Sequence, residues 1–321
     1  MSRGYGAGRF DGLTKARVLV CDPIHDDGVR MMREAGLRVD IRAAITGGEL
    51  LEAVGGYDAI AVRSRTKVTG EVLAAAGRLR AVARAGVGLD NIDLEEAERR
   101  GVRVVSSPEA PSNAVAELVL GFMLSLARRI PEADASMKRG EWIKGRLAGF
   151  ELEGRTLGVI GFGRIGYLVG KKAGALGMRV LAYDVIIDKL MEYVEDAGAE
   201  AVPLERLLTE SDFVTVHVPL LPQTRHMIGR GEIGTMKRGA HLINASRGAI
   251  VDEEALGEAL RDGRIAGAAL DVFEVEPPGG TSLTGLGNVV CTPHIGAETE
   301  EAQRASSTIV AEKLIRVLAE G

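Results

Sequence analysis

Short apolar runs alternating with amphipathic stretches constrain this chain more than any other feature. VLVC (18–21), RVDI (38–41), DAIAV (58–62), RAVAR (80–84) and VRVV (102–105) have the length and β-branched content of strands, and 26–35, 47–54, 70–76 and 92–100 read as helices between them. That rhythm builds a parallel sheet with helices on both faces, and strands covered on both faces are expected to be apolar throughout. Ser106, Ser107, Pro108 and Pro111 interrupt it, and NAVAELVLGFMLSLARRI (113–130) then reads as one long helix stopped by Pro131. A second alternation follows in TLGVIG (156–161), RVLAYD (179–184), EAV (200–202), FVTVHVP (213–219), HLINAS (241–246), GAALDVF (267–273) and VVCTPH (289–294). A lone helix closes the chain, so its end is expected to return to the first domain. The fold class is α/β with two doubly wound parallel sheets. The expected parts are a flexible tail over 1–16, a discontinuous domain of 17–108 and 297–321, and a second domain of 109–296; a length of 321 residues suits two domains.

Several function classes are disfavoured by composition. A net charge of −5 offers no electrostatic footprint for nucleic acid. Residues 277–297 lack Asp, Glu, Lys and Arg, but three Pro and five Gly bar a membrane helix there. Cys21 and Cys291 sit in apolar runs and read as strand-buried thiols, with no disulfide framework and no metal-ligand set, which fits a reducing compartment. The N-terminus, MSRGYGAGRFDGLTKA, has four glycines and no apolar core, so it reads as a tail and not a signal peptide. A cytoplasmic protein is expected.

The strongest chemical motif is Gly161-Phe-Gly163-Arg-Ile-Gly166, preceded by the strand TLGVI and followed by the helical run RIGYLVGKKAGAL. Gly161 makes the turn, Gly163 lets backbone amides approach a pyrophosphate, and Gly166 lets helix and strand pack closely. The helix N-terminus offers unpaired N–H groups and the positive end of its dipole to the phosphates. Asp184, at the end of the next strand, suits the adenosine ribose hydroxyls and repels a 2′-phosphate, which favours NAD over NADP.

Oxidising an alcohol with NAD needs a proton acceptor and a group to hold the substrate. Of five histidines, His241 reads as structural, His226 as an exposed residue after a turn, His217 as lining a cofactor cleft, and His25 as a loop residue, incidental or functional with equal weight. His294 ends the last strand of the second sheet. Glu276 follows a strand end, where a carboxylate on one imidazole nitrogen would fix the tautomer and leave the other to exchange a proton. Arg247 follows a third strand end, where a guanidinium clamps a substrate carboxylate.

GFGRIG, HVPLLPQT, NASRGAIVD, ALDVFEVEPP and TPHIGAETEEA, in that order, resemble the D-isomer-specific 2-hydroxyacid dehydrogenase family. VRSRTKVT (62–69), ARAGVGLDNIDL (83–94) and SMKRGEWIKGRLAGFELEGRTLG (136–158) look more narrowly like its 3-phosphoglycerate-oxidising branch. The resemblance implies a flavodoxin-like substrate domain and a Rossmann NAD domain, with Arg247, Glu276 and His294 as the catalytic residues. It implies cofactor contacts at Val87, Gly161, Gly163, Arg164, Ile165, Gly166, Asp184, His217, Val218, Pro219, Ala245, Ser246, Arg247, Asp271, His294, Gly296 and Ala297, with Asp271 on the nicotinamide amide. It implies substrate contacts at Arg63, Ser64, Arg84, Gly86, Val87, Gly88, Arg247 and His294, and no metal.

Arg65 and Lys67 read as a solvated face. Lys138, Arg139 and Lys144 lie where the family builds its dimer contact, so a homodimer through the NAD domain is expected, with a tetramer as the alternative. The implied reaction is oxidation of 3-phospho-D-glycerate to 3-phosphohydroxypyruvate at the entry to serine synthesis. Because the chain stops at Gly321, serine feedback through a further domain is not expected. The alternatives are a glyoxylate, hydroxypyruvate or broad 2-hydroxyacid reductase and, from another class, an NAD-sensing corepressor. Formate dehydrogenase shares the fold, but Glu276 suits the His/Glu pair of the 2-hydroxyacid enzymes.

Overall fold

A computed structural model describes residues 16–279 and 283–320. The tail expected over 1–16 lies outside the described residues except for Ala16, which is already buried. The chain divides into two compact units, one running to Pro111 and resuming at Ala297, the other spanning Ser112–Gly296. The first crossing therefore falls three residues beyond the expected 108, where Ala110 N–H donates to Ser107 O and Ser107 N–H to Gly86 O.

In the first unit β1 (Arg17–Val20), α1 (Asp26–Glu34), β2 (Arg38–Ile41), α2 (Gly47–Ala53), β3 (Ala59–Val62), α3 (Gly70–Ala75), β4 (Ala81–Arg84), α4 (Leu94–Arg99) and β5 (Arg103–Ser106) alternate as their apolar periodicity dictates. All pairs are parallel, in the order β2-β1-β3-β4-β5, the flavodoxin-like arrangement. Central β3 is buried at every residue, whereas edge strand β2 is exposed at both ends, so apolar character throughout holds only for strands with two neighbours.

The second unit opens with α5 (Ser112–Arg128) and α6 (Ile130–Lys138) where one helix was expected. Arg129 adopts a left-handed backbone (φ 51°) between them, and Pro131 lies in the first turn of α6. Proline lacks the N–H that a first turn leaves unpaired anyway, so it starts this helix instead of stopping the previous one.

Then come β6 (Thr156–Ile160), α7 (Arg164–Ala175), β7 (Arg179–Tyr183), α8 (Met191–Asp196), β8 (Glu200–Ala201), α9 (Leu204–Glu210), β9 (Phe213–Val216), α10 (Arg230–Thr235), β10 (His241–Asn244), α11 (Glu253–Arg261), β11 (Gly267–Leu270) and β12 (Val289–Cys291). The parallel sheet runs β12-β11-β10-β9-β6-β7-β8, and the order in which strands are added across it reverses between β6 and β9. Cys291 is exposed, contrary to the buried thiol expected, because β12 is an edge strand; Cys21 is buried, which pushes its thiol up to about 12. The closing helix α12 (Glu300–Ala319) belongs to the first unit, where Leu314 and Leu318 join the core under β1, β3 and β4.

Candidate active site

Residues after the C-terminal ends of parallel strands collect along one edge of a sheet, and strands are about 4.8 Å apart, so successive strand ends deliver side chains to one place. In the second unit the edge runs through the turn after β6. Gly161 has φ +88°, and a Cβ there would lie 2.5 Å from His217 O; a Cβ on Gly166 would lie 2.1 Å from Gly161 O. Only glycine fits either position. Phe162, between the first two glycines, is fully buried in the core, where its side chain contributes about 2–3 kcal/mol, and it anchors the turn.

The amides of Arg164, Ile165 and Gly166 open α7, which has no acidic residue in its first turn and no side-chain cap. Apart from Gly163 itself and its chain neighbours, no atom of the described residues lies within 4 Å of where a Gly163 Cβ would be. Asp184 Oδ2 accepts from Phe162 N–H (3.0 Å) and Oδ1 from Ile186 N–H (3.0 Å), which ties the ends of β6 and β7 together. A pyrophosphate over the α7 N-terminus and a ribose at Asp184 fit this cradle.

After β9, His217 N–H donates to Ile160 O (2.7 Å) and its Nε2 bonds Thr215 Oγ1 (2.9 Å), while the buried Nδ1 has no partner among the described residues. Val218 and Pro219 continue the same rim. Burial pushes His217 down to about 3, and burial likewise pushes His241, stacked on Phe213 at 4.8 Å, down to about 4. Both are neutral when folded and titrate near 6.5 when unfolded, so unfolding takes up protons between those values. Their stability contribution is complete above about pH 6.5 and is lost as pH falls below it, by about 1.4 kcal/mol per pH unit for each histidine. The urea midpoint is expected to be flat above neutrality and to fall between pH 6.5 and 5, with His241→Phe removing close to half of the slope. Equal slopes for the variant and the parent would refute this.

Three further strand ends carry Arg247, Glu276 and His294. Asn244 closes β10 at 1 % exposure; its Oδ1 accepts from Ser246 N–H (3.0 Å) and Oγ (2.9 Å), and its Nδ2 donates to Arg247 O (2.8 Å). These bonds shape the Ala245-Ser246-Arg247 turn, and Arg247 Nη1 donates back to Ser246 O (2.7 Å). A Cβ on Gly248 would lie 1.9 Å from Phe273 C, so the Arg247 turn packs directly on the backbone after β11. There Glu276 Oε1 accepts from Phe273 N–H (3.1 Å), and its Oε2 bonds His294 Nδ1 at 2.7 Å.

His294, after β12, has φ +55° and is held by Asp271: His294 N–H donates to Asp271 O (2.8 Å), and Ile295 and Gly296 N–H and Thr292 Oγ1 all donate to its carboxylate. Asp271 is 1 % exposed, and its carboxylate accepts from Thr292 Oγ1 and from Ile295 and Gly296 N–H, which positions the loop that carries His294. His226 is not simply exposed, since its Nε2 pairs with Glu274 Oε1 at 2.9 Å, and His25 caps α1.

The remaining expected residues belong to the first unit: Arg63, Ser64, Arg84, Gly86, Val87, Gly88 and Ala297. Arg63 and Ser64 follow β3, and Arg84 ends β4. Arg84 Nη1 reaches Ala85 O (3.2 Å), and Gly86 N–H donates to Ser107 Oγ (2.8 Å). Arg65 is exposed, as expected, but its guanidinium also donates to the carbonyls of Cys21, Ala43 and Ile45 and pairs with Asp22. Lys67 is exposed.

Asp22, Asn91, Asn244 and Glu298 escaped the sequence reading. For Asp22 and Asn244 a signal existed, a polar residue ending or directly following an apolar strand. Among the described residues no cluster of three or more His, Cys, Asp and Glu is arranged to hold a metal, and no helix is long and apolar enough to cross a membrane.

Residues 120–296 match the family described as D-isomer specific 2-hydroxyacid dehydrogenase, NAD binding domain. The chain is 51 % identical over 303 residues to a D-3-phosphoglycerate dehydrogenase of Methanocaldococcus jannaschii, covering 94 % of this chain and 57 % of the relative. It is 43 % identical to a hydroxypyruvate reductase of Thermotoga maritima, covering 95 % of this chain and 99 % of that one. Among solved structures, the TT0316 protein of Thermus thermophilus superposes with a TM-score of 0.84 at 38 % identity, covering 94 % of this chain and 96 % of the other. The chain thus spans a little over half the length of the phosphoglycerate dehydrogenases it matches.

Proposed function

The chain belongs to the D-isomer-specific 2-hydroxyacid dehydrogenase family, and from that premise we propose that it oxidises 3-phospho-D-glycerate to 3-phosphohydroxypyruvate with NAD. The observation that carries the chemistry is the His294–Glu276 bond beside the Arg247 turn, on three successive strand ends. NAD, held at the turn after β6, would supply the acceptor for the hydride that leaves C2 of the substrate. Arg247 holds the substrate carboxylate by paired N–H donors. Glu276 keeps His294 Nδ1 engaged, so Nε2 is the nitrogen that takes the hydroxyl proton. Arg63, Ser64, Arg84 and the Gly86–Gly88 backbone bind the rest of the substrate. The cradle formed by Gly161, Gly163, Arg164, Ile165 and Gly166, with Asp184, binds the pyrophosphate and ribose; Val87, His217, Val218, Pro219, Ala245, Ser246, Arg247, Asp271, His294, Gly296 and Ala297 complete the cofactor contacts, with Asp271 on the nicotinamide amide.

Relatives named for phosphoglycerate support this substrate, and so do the cationic residues of the first unit. A specific observation favours a second reading as a hydroxypyruvate reductase: the relative so named is matched along nearly its whole length. We further propose a cytoplasmic homodimer built through the second unit, supported by Trp142, Met137 and Ile130, which stand 78 %, 57 % and 49 % exposed on and after α6.

A substrate panel followed by NADH absorbance tests the assignment. Reduction of 3-phosphohydroxypyruvate is expected to exceed that of hydroxypyruvate and glyoxylate by at least about tenfold in kcat/KM. The reverse ranking establishes the second reading, and no turnover with any 2-oxo acid overturns both.

A further inference from the structure

The loop that carries Arg63 is immobilised by groups far from it in sequence. Asp22, wholly buried, accepts from Arg63 N–H (2.6 Å), Thr66 N–H (3.3 Å) and Thr66 Oγ1 (2.8 Å). Asn91 Nδ2 donates to the carbonyls of Arg63 (2.7 Å) and Thr66 (2.6 Å). Arg65, two residues on, spends its guanidinium on three carbonyls and Asp22. Of the two arginines in this loop, Arg63 alone is left to receive an anion, and its guanidinium is hydrogen-bonded to Glu298. The second Glu298 oxygen accepts from Gln303 Nε2 (2.6 Å) on α12, so the carboxylate is held toward Arg63 from behind.

We propose that Glu298 is a specificity-determining residue that competes with a substrate phosphate for Arg63 and thereby sets the preference between phosphorylated and unphosphorylated 2-hydroxy acids. This rests on the reading that Arg63 receives the substrate's anionic end. The paired charges of Arg63 and Glu298 cancel, so a phosphate dianion meets no net charge there until Glu298 moves away. The pair is partly exposed, at 25 % and 40 % of its side chains, and exposed ion pairs are weak enough for a dianion to exchange with the carboxylate. An unphosphorylated acid has no group that must take Glu298's place. A neutral residue at 298 removes the competitor and keeps the Arg63 charge.

The test is Glu298→Gln, assayed with 3-phosphohydroxypyruvate and hydroxypyruvate. The ratio of kcat/KM for the phosphorylated over the unphosphorylated acid is expected to rise by about tenfold or more. In parallel, inorganic phosphate is expected to raise the melting temperature of Glu298→Gln more than that of the parent, and Arg63→Gln to abolish the difference. An unchanged ratio overturns the proposal. So does a fall in the ratio with a raised KM, which would make Glu298 a support that orients Arg63, and so does equal stabilisation of both proteins by phosphate. If the parent turns over neither acid, the functional reading fails, and the melting arm still decides whether Glu298 masks Arg63.

Discussion

Replacing His294 by Asn is expected to lower turnover by about 10²–10⁴-fold while leaving the melting temperature unchanged or slightly raised. Two features of this residue act in opposite directions. Its imidazole, oriented by Glu276 at 2.7 Å, is the group assigned to take the substrate proton, and an amide has no comparable basicity. Its backbone sits at φ +55°, where a non-glycine residue costs of order 1 kcal/mol or more, and asparagine tolerates that region better than most. The strain persists because Asp271 over-determines the loop, accepting bonds from Thr292, His294, Ile295 and Gly296. Steady-state kinetics with a thermal melt check both halves. Turnover near that of the parent would remove His294 from the reaction, and a large loss of melting temperature would show that the imidazole supports the fold.

Arg247→Gln is expected to lower kcat/KM for every 2-hydroxy acid by about 10³-fold, since a paired charge-assisted carboxylate contact is worth several kcal/mol. Lysine at the same position restores only part of the loss, because an ammonium supplies the charge without the planar fork. The turn itself is built to survive the change. Asn244 fixes it from below and Gly248 presses it onto Phe273, and neither contact involves the guanidinium. A retained melting temperature with a raised KM is the expected pattern. An unchanged KM for acids of different length would mean that the carboxylate is held elsewhere.

The turn at Gly161–Gly166 and the strand ends bearing Arg247, Glu276 and His294 were legible because their signals are local. A glycine forced by close approach, a run of apolar residues and its length all act within one segment of chain. Both sheets followed from the same periodicity. Pro131 shows the limit of that reasoning: the residue type marks a helix boundary but leaves open which side of the boundary it serves. Cys291 shows another, since an apolar run does not say whether its strand ends up central or at the edge.

By itself, then, the sequence determined which segments become strands and helices, where the glycine turn after β6 lies, and which polar residues emerge at strand ends. These depend on backbone sterics and on side-chain periodicity over a few residues. Tertiary structure alone decided how the polar groups are spent: Arg65 on carbonyls, Asp271 on the loop of His294, and Arg63 on Glu298, 235 residues away. The reason is that a charge or donor in a half-buried place takes whichever partner the folded chain brings within about 3 Å, and that partner is set by sheet order and packing, which no local pattern encodes.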